Sequence, residues 1–233
     1  AASTRAGKPM ITVNVGGLIL AVGQYPLIAS ASRVGTGGFV VGSLPLGNGA
    51  NIVTNGNTIL LNVTASQLPT FLWTGLNNNS WDFATANNWA TNGGAVLYLD
   101  NQLVRFDDSS VRTNVNIAAN VAPLSLIVSN SARRYTFSGS AIAGSTSLTK
   151  SGTGTLVLAN VNTYTGGTII SNGTVQLGDG LGNNGSVAGN ITDNGRLIFA
   201  NLTNETYAGV IGGSGLLVKS GTNELTLSGA NNF

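Results

Sequence analysis

LTKSGTGTLVLANVNTY, residues Leu148 to Tyr164, comes back 69 residues later as LVKSGTNELTLSGANNF, Leu217 to Phe233. Eight of the seventeen positions are identical, and Tyr164 is answered by Phe233. An apolar ladder rebuilt behind the same Lys-Ser-Gly-Thr turn is a repeated structural unit, and such repeats belong to stacked architectures. A finer period lies inside the long one: IISNGTVQL (Ile169 to Leu177) matches ITDNGRLIF (Ile191 to Phe199) at a shift of 22, each with an Asn-Gly turn ahead of a short apolar run. Similar turn-plus-strand units stand at Gly154 to Leu158, Ser214 to Val218 and Asn55 to Leu61. The spacing of about 20 to 23 residues lets three coils roughly fill the long repeat. It suits one turn of a parallel β-helix, in which each coil lays short strands about 4.8 Å above the last. The competing reading is an antiparallel sandwich of Asn-Gly hairpins. The fixed period favours the β-helix, because hairpins do not require one.

Composition agrees with an all-β chain. There are 33 glycines among 233 residues, asparagine is almost as frequent, and Val, Ile, Leu and Thr carry most of the rest. Long charged helix formers are scarce, with lysine only at positions 8, 150 and 219 and glutamate only at 205 and 224. Gly and Asn supply the tight corners that repeated short strands demand. The apolar fraction of 42% supports a continuous core, so the charge content of 8% does not signal disorder. A net charge of +2 with only Arg133 and Arg134 adjacent lacks the clustered cations that phosphate tracking needs, so nucleic acid is not an expected partner. No apolar run approaches the length of a membrane-spanning helix. With no cysteine, disulfides are excluded.

Three sections follow from the pattern. Residues 1–67 read as a β-rich N-terminal section broken by Gly and Pro. Residues 68–102 hold all three tryptophans, Trp73, Trp81 and Trp89, eight residues apart, and read as an excursion from the stack. Residues 103–233 resume the coil pattern.

The chemistry offered is sparse. Histidine and cysteine are absent, which removes the usual general base, thiol catalysis and the commonest zinc ligands. Asp107 and Asp108 would face opposite sides of a strand unless they lie in a turn. The Gly178-Asp179-Gly180 run, with Gly182 and Gly185, faintly matches a calcium-binding roll but offers a single carboxylate, and reads as a glycine-rich corner. No catalytic, cofactor or metal site is therefore expected. The tryptophans admit two readings: a carbohydrate-binding surface, since sugars stack on exposed aromatic faces, and a small buried core, which tryptophan's usual burial favours.

The run Ser147 to Gly178 resembles the autotransporter-associated β-strand repeat, also called the passenger-associated transport repeat, and Leu217 to Phe233 resembles its first part. The motif Trp73-Thr74-Gly75 with Asn88-Trp89, followed by Phe106-Asp107-Asp108, is similar to the segment that precedes such repeats in very large surface proteins of Gram-negative bacteria. The resemblance implies a secreted β-helical passenger, extracellular or on the outer cell surface. The leading expectation is a structural or adhesive surface protein. Behind it stand a glycan-binding module, with surface glycans as partner, and a β-helix polysaccharide-processing enzyme. LTLSGANNF at residues 225–233 brings no polar cap to the apolar rungs. Copies of the chain, or neighbouring repeats of one polypeptide, are therefore the expected partners, joined head to tail through Ile11, Val13 and Val15 at one end and Leu225, Leu227 and Phe233 at the other.

Overall fold

The computed structural model of the chain describes residues 11–14, 22–29, 39–44, 48–66, 68–83, 87–92 and 94–233. The chain divides into two compact units, Ala1–Pro69 and Thr70–Phe233. Among the described residues every regular element is a strand.

In the first unit, β1 (Ile11–Val13) pairs in parallel with β3 (Phe39–Val41), while β2 (Gly23–Ala29) and β4 (Asn48–Asn55) flank the central β5 (Thr58–Ser66) in an antiparallel sheet. The Asn55-Gly56 pair, which the sequence groups with the coil corners, makes a hairpin here. Asn55 pairs with Thr58 across a two-residue loop whose Gly56 has φ +58°. That fits a turn with glycine at its first central position. The difference lies in the flanks: β4 and β5 have 8 and 9 residues and can pair with each other, whereas coil strands have mostly three or four and must find partners one coil away.

The second unit is a parallel β-solenoid with three sides. It starts with β6 (Thr70–Trp73) and β7 (Ser80–Trp81), then leaves the stack for β8 (Trp89–Thr91) and β9 (Gly94–Val96). It then coils regularly through β10 (Leu103–Phe106) and β11 (Asn114–Ile117), β12 (Ser125–Val128) and β13 (Tyr135–Gly139), β14 (Ser147–Lys150) and β15 (Thr155–Leu158), β16 (Thr168–Ile170) and β17 (Thr174–Leu177), β18 (Ile191–Asp193) and β19 (Arg196–Phe199). β20 (Glu205–Tyr207), β21 (Ile211–Gly212), β22 (Leu216–Lys219) and β23 (Leu225–Leu227) complete it. The first side is the sheet β21-β18-β16-β14-β12-β10-β6-β8-β9, and the second is β22-β19-β17-β15-β13-β11-β7. The third is held by the parallel bridges Val121–Ile142 and Val161–Ser186 and by the pair β20–β23. Steps along one side are 20 residues from Leu148 to Thr168 and 23 from Thr168 to Ile191. Val175 and Leu197 lie side by side in parallel strands, so the sandwich reading is set aside.

Alternation in each strand explains the inside. Leu126 and Val128 are buried while Ile127 between them is exposed. Stacked in register, these positions make inward columns such as Val115, Phe137, Leu158, Leu177 and Phe199. Each such side chain contributes about 1.5–3 kcal/mol by leaving water. Asparagine serves the corners, where its carboxamide oxygen accepts the N–H of a residue one coil away: Asn120 from Ala141, Asn190 from Val210, Asn194 from Ser214 and Asn204 from Glu224. Asparagine at a corner thus ties one coil to the next through a side-chain acceptor, beside the backbone hydrogen bonds that corners also make, such as Arg196 N to Gly173 O.

Candidate functional site

The three tryptophans are core. Their relative exposures are 0% for Trp73, 0% for Trp81 and 1% for Trp89. Trp73 and Trp81 lie on the solenoid's first coil, and β8 returns antiparallel beside β6 with Trp89 opposite Trp73. The indoles of Trp73 and Trp89, and of Trp81 and Trp89, meet edge-on at 5.2 Å, with Tyr98, Phe106 and Phe137 around them. The expectation of glycan contact at Trp73, Trp81 and Trp89 is corrected by this burial: the ring faces that a sugar would cover are already covered by other rings. The motif residues form a clasp. Thr74 and Gly75 donate their N–H groups to Asn88 O, and Asn88 Oδ1 accepts from Asn77 and Asn78 N at 2.9 Å each. Trp73 Nε1 donates to Arg112 O at 2.8 Å.

The Lys-Ser-Gly-Thr turn has a chemical reason. Lys150 points inward between Val128 and Ile170, and its ammonium curls into the corner to donate to Ser151 O at 2.7 Å and Gly152 O at 2.8 Å, with Asn130 O at 3.4 Å. Lys219 repeats this on Ser220 O at 2.5 Å and Gly221 O at 3.3 Å, adding Asn223 Oδ1 at 2.7 Å. Burial pushes the Lys150 amine down to about 8, partly opposed by the Asp108 carboxylate. This role was missed in the sequence, although the signal is there: Lys150 has the inward parity of Leu148.

The carboxylates are used as fasteners. Asp107 and Asp108 lie at a turn, where Asp107 Oδ1 accepts from Ser109 N at 2.9 Å. Asp108 reaches one coil on to accept the N–H groups of Ser131, Ala132 and Arg133, and these donors, Ser131 first, hold its carboxyl below the usual range. Asp100 Oδ1 accepts from Ala122 N at 2.7 Å. In the glycine-rich loop, Asp179 Oδ1 accepts from Leu181, Gly182 and Asn183 N at 2.8, 2.9 and 2.9 Å, and Oδ2 takes Asn183 Nδ2 at 2.6 Å. The N–H of Gly182 leads in holding this carboxyl far below the usual range. Both oxygens face hydrogen-bond donors, which point positive charge to where a cation would sit. Among the described residues no group of three or more Asp or Glu is placed to hold a metal ion.

The expected interface residues fall in separate places. Ile11 and Val13 lie on β1, paired with β3 in the first unit, and Val15 lies outside the described residues. Leu225 and Leu227 lie on β23 beside β20, half-buried, and Phe233 is 57% exposed.

The family model for the passenger-associated-transport-repeat matches residues 148–177 and 217–233, the two stretches built around the lysine corners. The chain carries passenger-associated transport repeats. It is also 36% identical over 181 residues to the adhesin BmaC autotransporter of Brucella suis biovar 1 (strain 1330), an alignment covering 73% of this chain and 5% of that protein. The chain thus spans about a twentieth of that relative's length. No solved structure matches.

The two passenger-associated transport repeats do not occupy the same sides. Leu148 and Leu156 lie on the first and second sides, whereas Leu217 pairs with Leu197 on the second and Leu225 with Glu205 on the third. From Leu148 the first side climbs through Thr168 and Ile191 to Ile211, three coils, before Leu217 is reached one side later. The 69-residue interval is therefore three coils and one side, a correction to the three coils read from the sequence. The repeat is a corner with its two flanking strands, and two different corners of the prism hold it.

Proposed function

We propose that this chain is a length of the extracellular passenger of a large bacterial surface adhesin, and that its solenoid is part of a longer shaft holding contact surfaces away from the cell. The observation that carries this is the continuous parallel stack built on passenger-associated transport repeats, in the part of the chain similar to an autotransporter adhesin. The role is mechanical and adhesive rather than enzymatic: the carboxylates at Asp100, Asp107, Asp108 and Asp179 each hold a turn or a neighbouring coil. Continuation within one polypeptide is preferred to a filament of separate copies, because the similar adhesin is far longer than the aligned stretch, which covers 5% of it.

The test uses antibodies raised against residues 70–233 on intact cells of a strain that makes the parent protein. Labelling without permeabilisation, together with loss of attachment to cells or solid surfaces in the presence of the Fab, is expected. Labelling only after permeabilisation contradicts the location, and full attachment with saturating Fab contradicts the adhesive role.

A further inference from the structure

Three Asn-Gly dipeptides lie between strands of the regular coils, at Asn172, Asn184 and Asn194. In such a pair the glycine nitrogen can close on the asparagine carboxamide, because no Cβ on the second residue crowds the approach. The three differ in what the reacting groups already hold. Asn184 Oδ1 accepts from Leu202 N at 2.8 Å and its Nδ2 donates to Thr203 Oγ1 at 2.8 Å, while Gly185 N, buried, donates to Asn201 Oδ1 at 2.8 Å. Asn194 Oδ1 accepts from Ser214 N at 3.2 Å, one coil on, and Gly195 N donates to Asp193 Oδ1 at 2.9 Å. At both corners carboxamide and nitrogen are tied to different partners. Asn172 is exposed, and Gly173 N donates to the carboxamide oxygen of Asn172 itself at 2.7 Å.

We propose that Asn172 is a self-modification site, converted with water alone to aspartate and isoaspartate while Asn184 and Asn194 are held intact by the fold. Hydroxide removes the Gly173 N–H proton. The nitrogen's electron pair forms a bond to Asn172 Cγ, and the C–N bond of the carboxamide breaks, releasing ammonia to solvent and leaving a five-membered succinimide. Water then opens the ring. Addition at Cγ gives aspartate, and addition at the main-chain carbonyl carbon gives isoaspartate, in which the chain runs through the former side chain. The fold supplies proximity at Asn172 and withholds it at the other two corners.

The isoaspartate product carries a structural consequence. It adds one carbon to the main chain at a corner on which the next coil rests: Arg196 N donates to Gly173 O at 2.9 Å, and a Cβ at Gly195 would meet Gly173 O at 2.7 Å and Asn172 C at 3.2 Å. On the other side Thr174 N donates to Gly154 O at 3.1 Å. A lengthened corner cannot keep both contacts in place, so conversion loosens the stack at β17 and β19.

The experiment incubates the folded chain at mildly alkaline pH beside the same chain in concentrated urea, and follows the amide-to-acid mass gain by peptide mapping, with isoaspartate counted by enzymatic methylation. In the folded chain Asn172 should convert at least about tenfold faster than Asn184 and Asn194, whose reaction waits for local opening. In urea the three rates should converge. Equal rates in the folded chain, faster conversion at Asn184 or Asn194, or an Asn172 that reacts only in urea overturns the assignment. Hydrogen exchange at residues 174–177 and 196–199 should quicken in the purified isoaspartate form and not in Asn172→Asp, which adds the charge without the extra carbon. Unchanged exchange in the isoaspartate form, or equal quickening in Asn172→Asp, overturns the loosening.

Discussion

Lys150 occupies an inward position whose neighbours in register are Val128 and Ile170, and its charge is met by carbonyl dipoles. The carbonyls do not offset the loss of hydration in full, so the folded-state pKa falls to about 8. Between that value and the ordinary lysine pKa of about 10.4, the unfolded chain binds more protons than the folded one, so stability rises with pH. The buried tyrosines act oppositely and later. Burial raises Tyr98, Tyr164 and Tyr207 and pushes Tyr135 up to about 12. Their contribution is intact below the ordinary tyrosine pKa of about 10 and is lost as pH climbs through the folded values. The urea midpoint should therefore rise between about pH 7.5 and 9.5, and Lys150→Met should remove the rise. A flat profile in the parent chain would contradict the buried ammonium. Asn162 tests the corner carboxamides: it accepts from Ile142 N at 3.0 Å and donates to Asn160 O and Ser186 O. Asn162→Ala should cost about 2–3 kcal/mol in urea unfolding by orphaning buried groups. The exposed Asn172→Ala should stay within about 0.5 kcal/mol.

At the scale of the element, corners decide more than strands do. Gly152 has φ +76°, and a Cβ there would meet Asn130 O at 2.4 Å, whereas nothing lies within 4 Å of a Cβ at Gly182. Gly152→Ala should therefore destabilise by about 3 kcal/mol, combining left-handed strain with a backbone clash. Gly182→Ala should stay within about 0.5 kcal/mol; thermal unfolding of both variants checks the contrast. The coil strands from β14 to β19 were legible because inward parity recurs together with the corners Lys150-Ser151-Gly152, Asn172-Gly173 and Asn194-Gly195. The hairpin at Asn55-Gly56 was not, since the dipeptide alone fits both outcomes and only the long flanks decide. The shift of the second repeat by one side was hidden for a related reason: lysine and glycine build the same corner at both places. The tryptophans' regular spacing allowed a shared small core without deciding it, and the clasp through Asn88 brings Trp89 back onto Trp73.

At the scale of the molecule, the second unit has one continuous core, running from Phe71 and the tryptophans to Ile211. Residues 70–233 should therefore fold without residues 1–69, with tryptophan fluorescence resistant to acrylamide; quenching as free as that of exposed indole would contradict the aromatic filling. The central claim is parallel stacking in this register, and the absence of cysteine leaves the chain ready for a direct measurement. Gln176 and Ile198 face outward side by side on β17 and β19. Parallel neighbours about 4.8 Å apart fall within the Cα separations that a disulfide spans, about 4.4–6.8 Å. In the double variant Gln176→Cys, Ile198→Cys, mild oxidation should link the two residues within one chain without loss of β-sheet circular dichroism, while Ile169→Cys, Ile198→Cys, on different sides, should stay reduced. Free thiols in a folded 176/198 variant would contradict the solenoid.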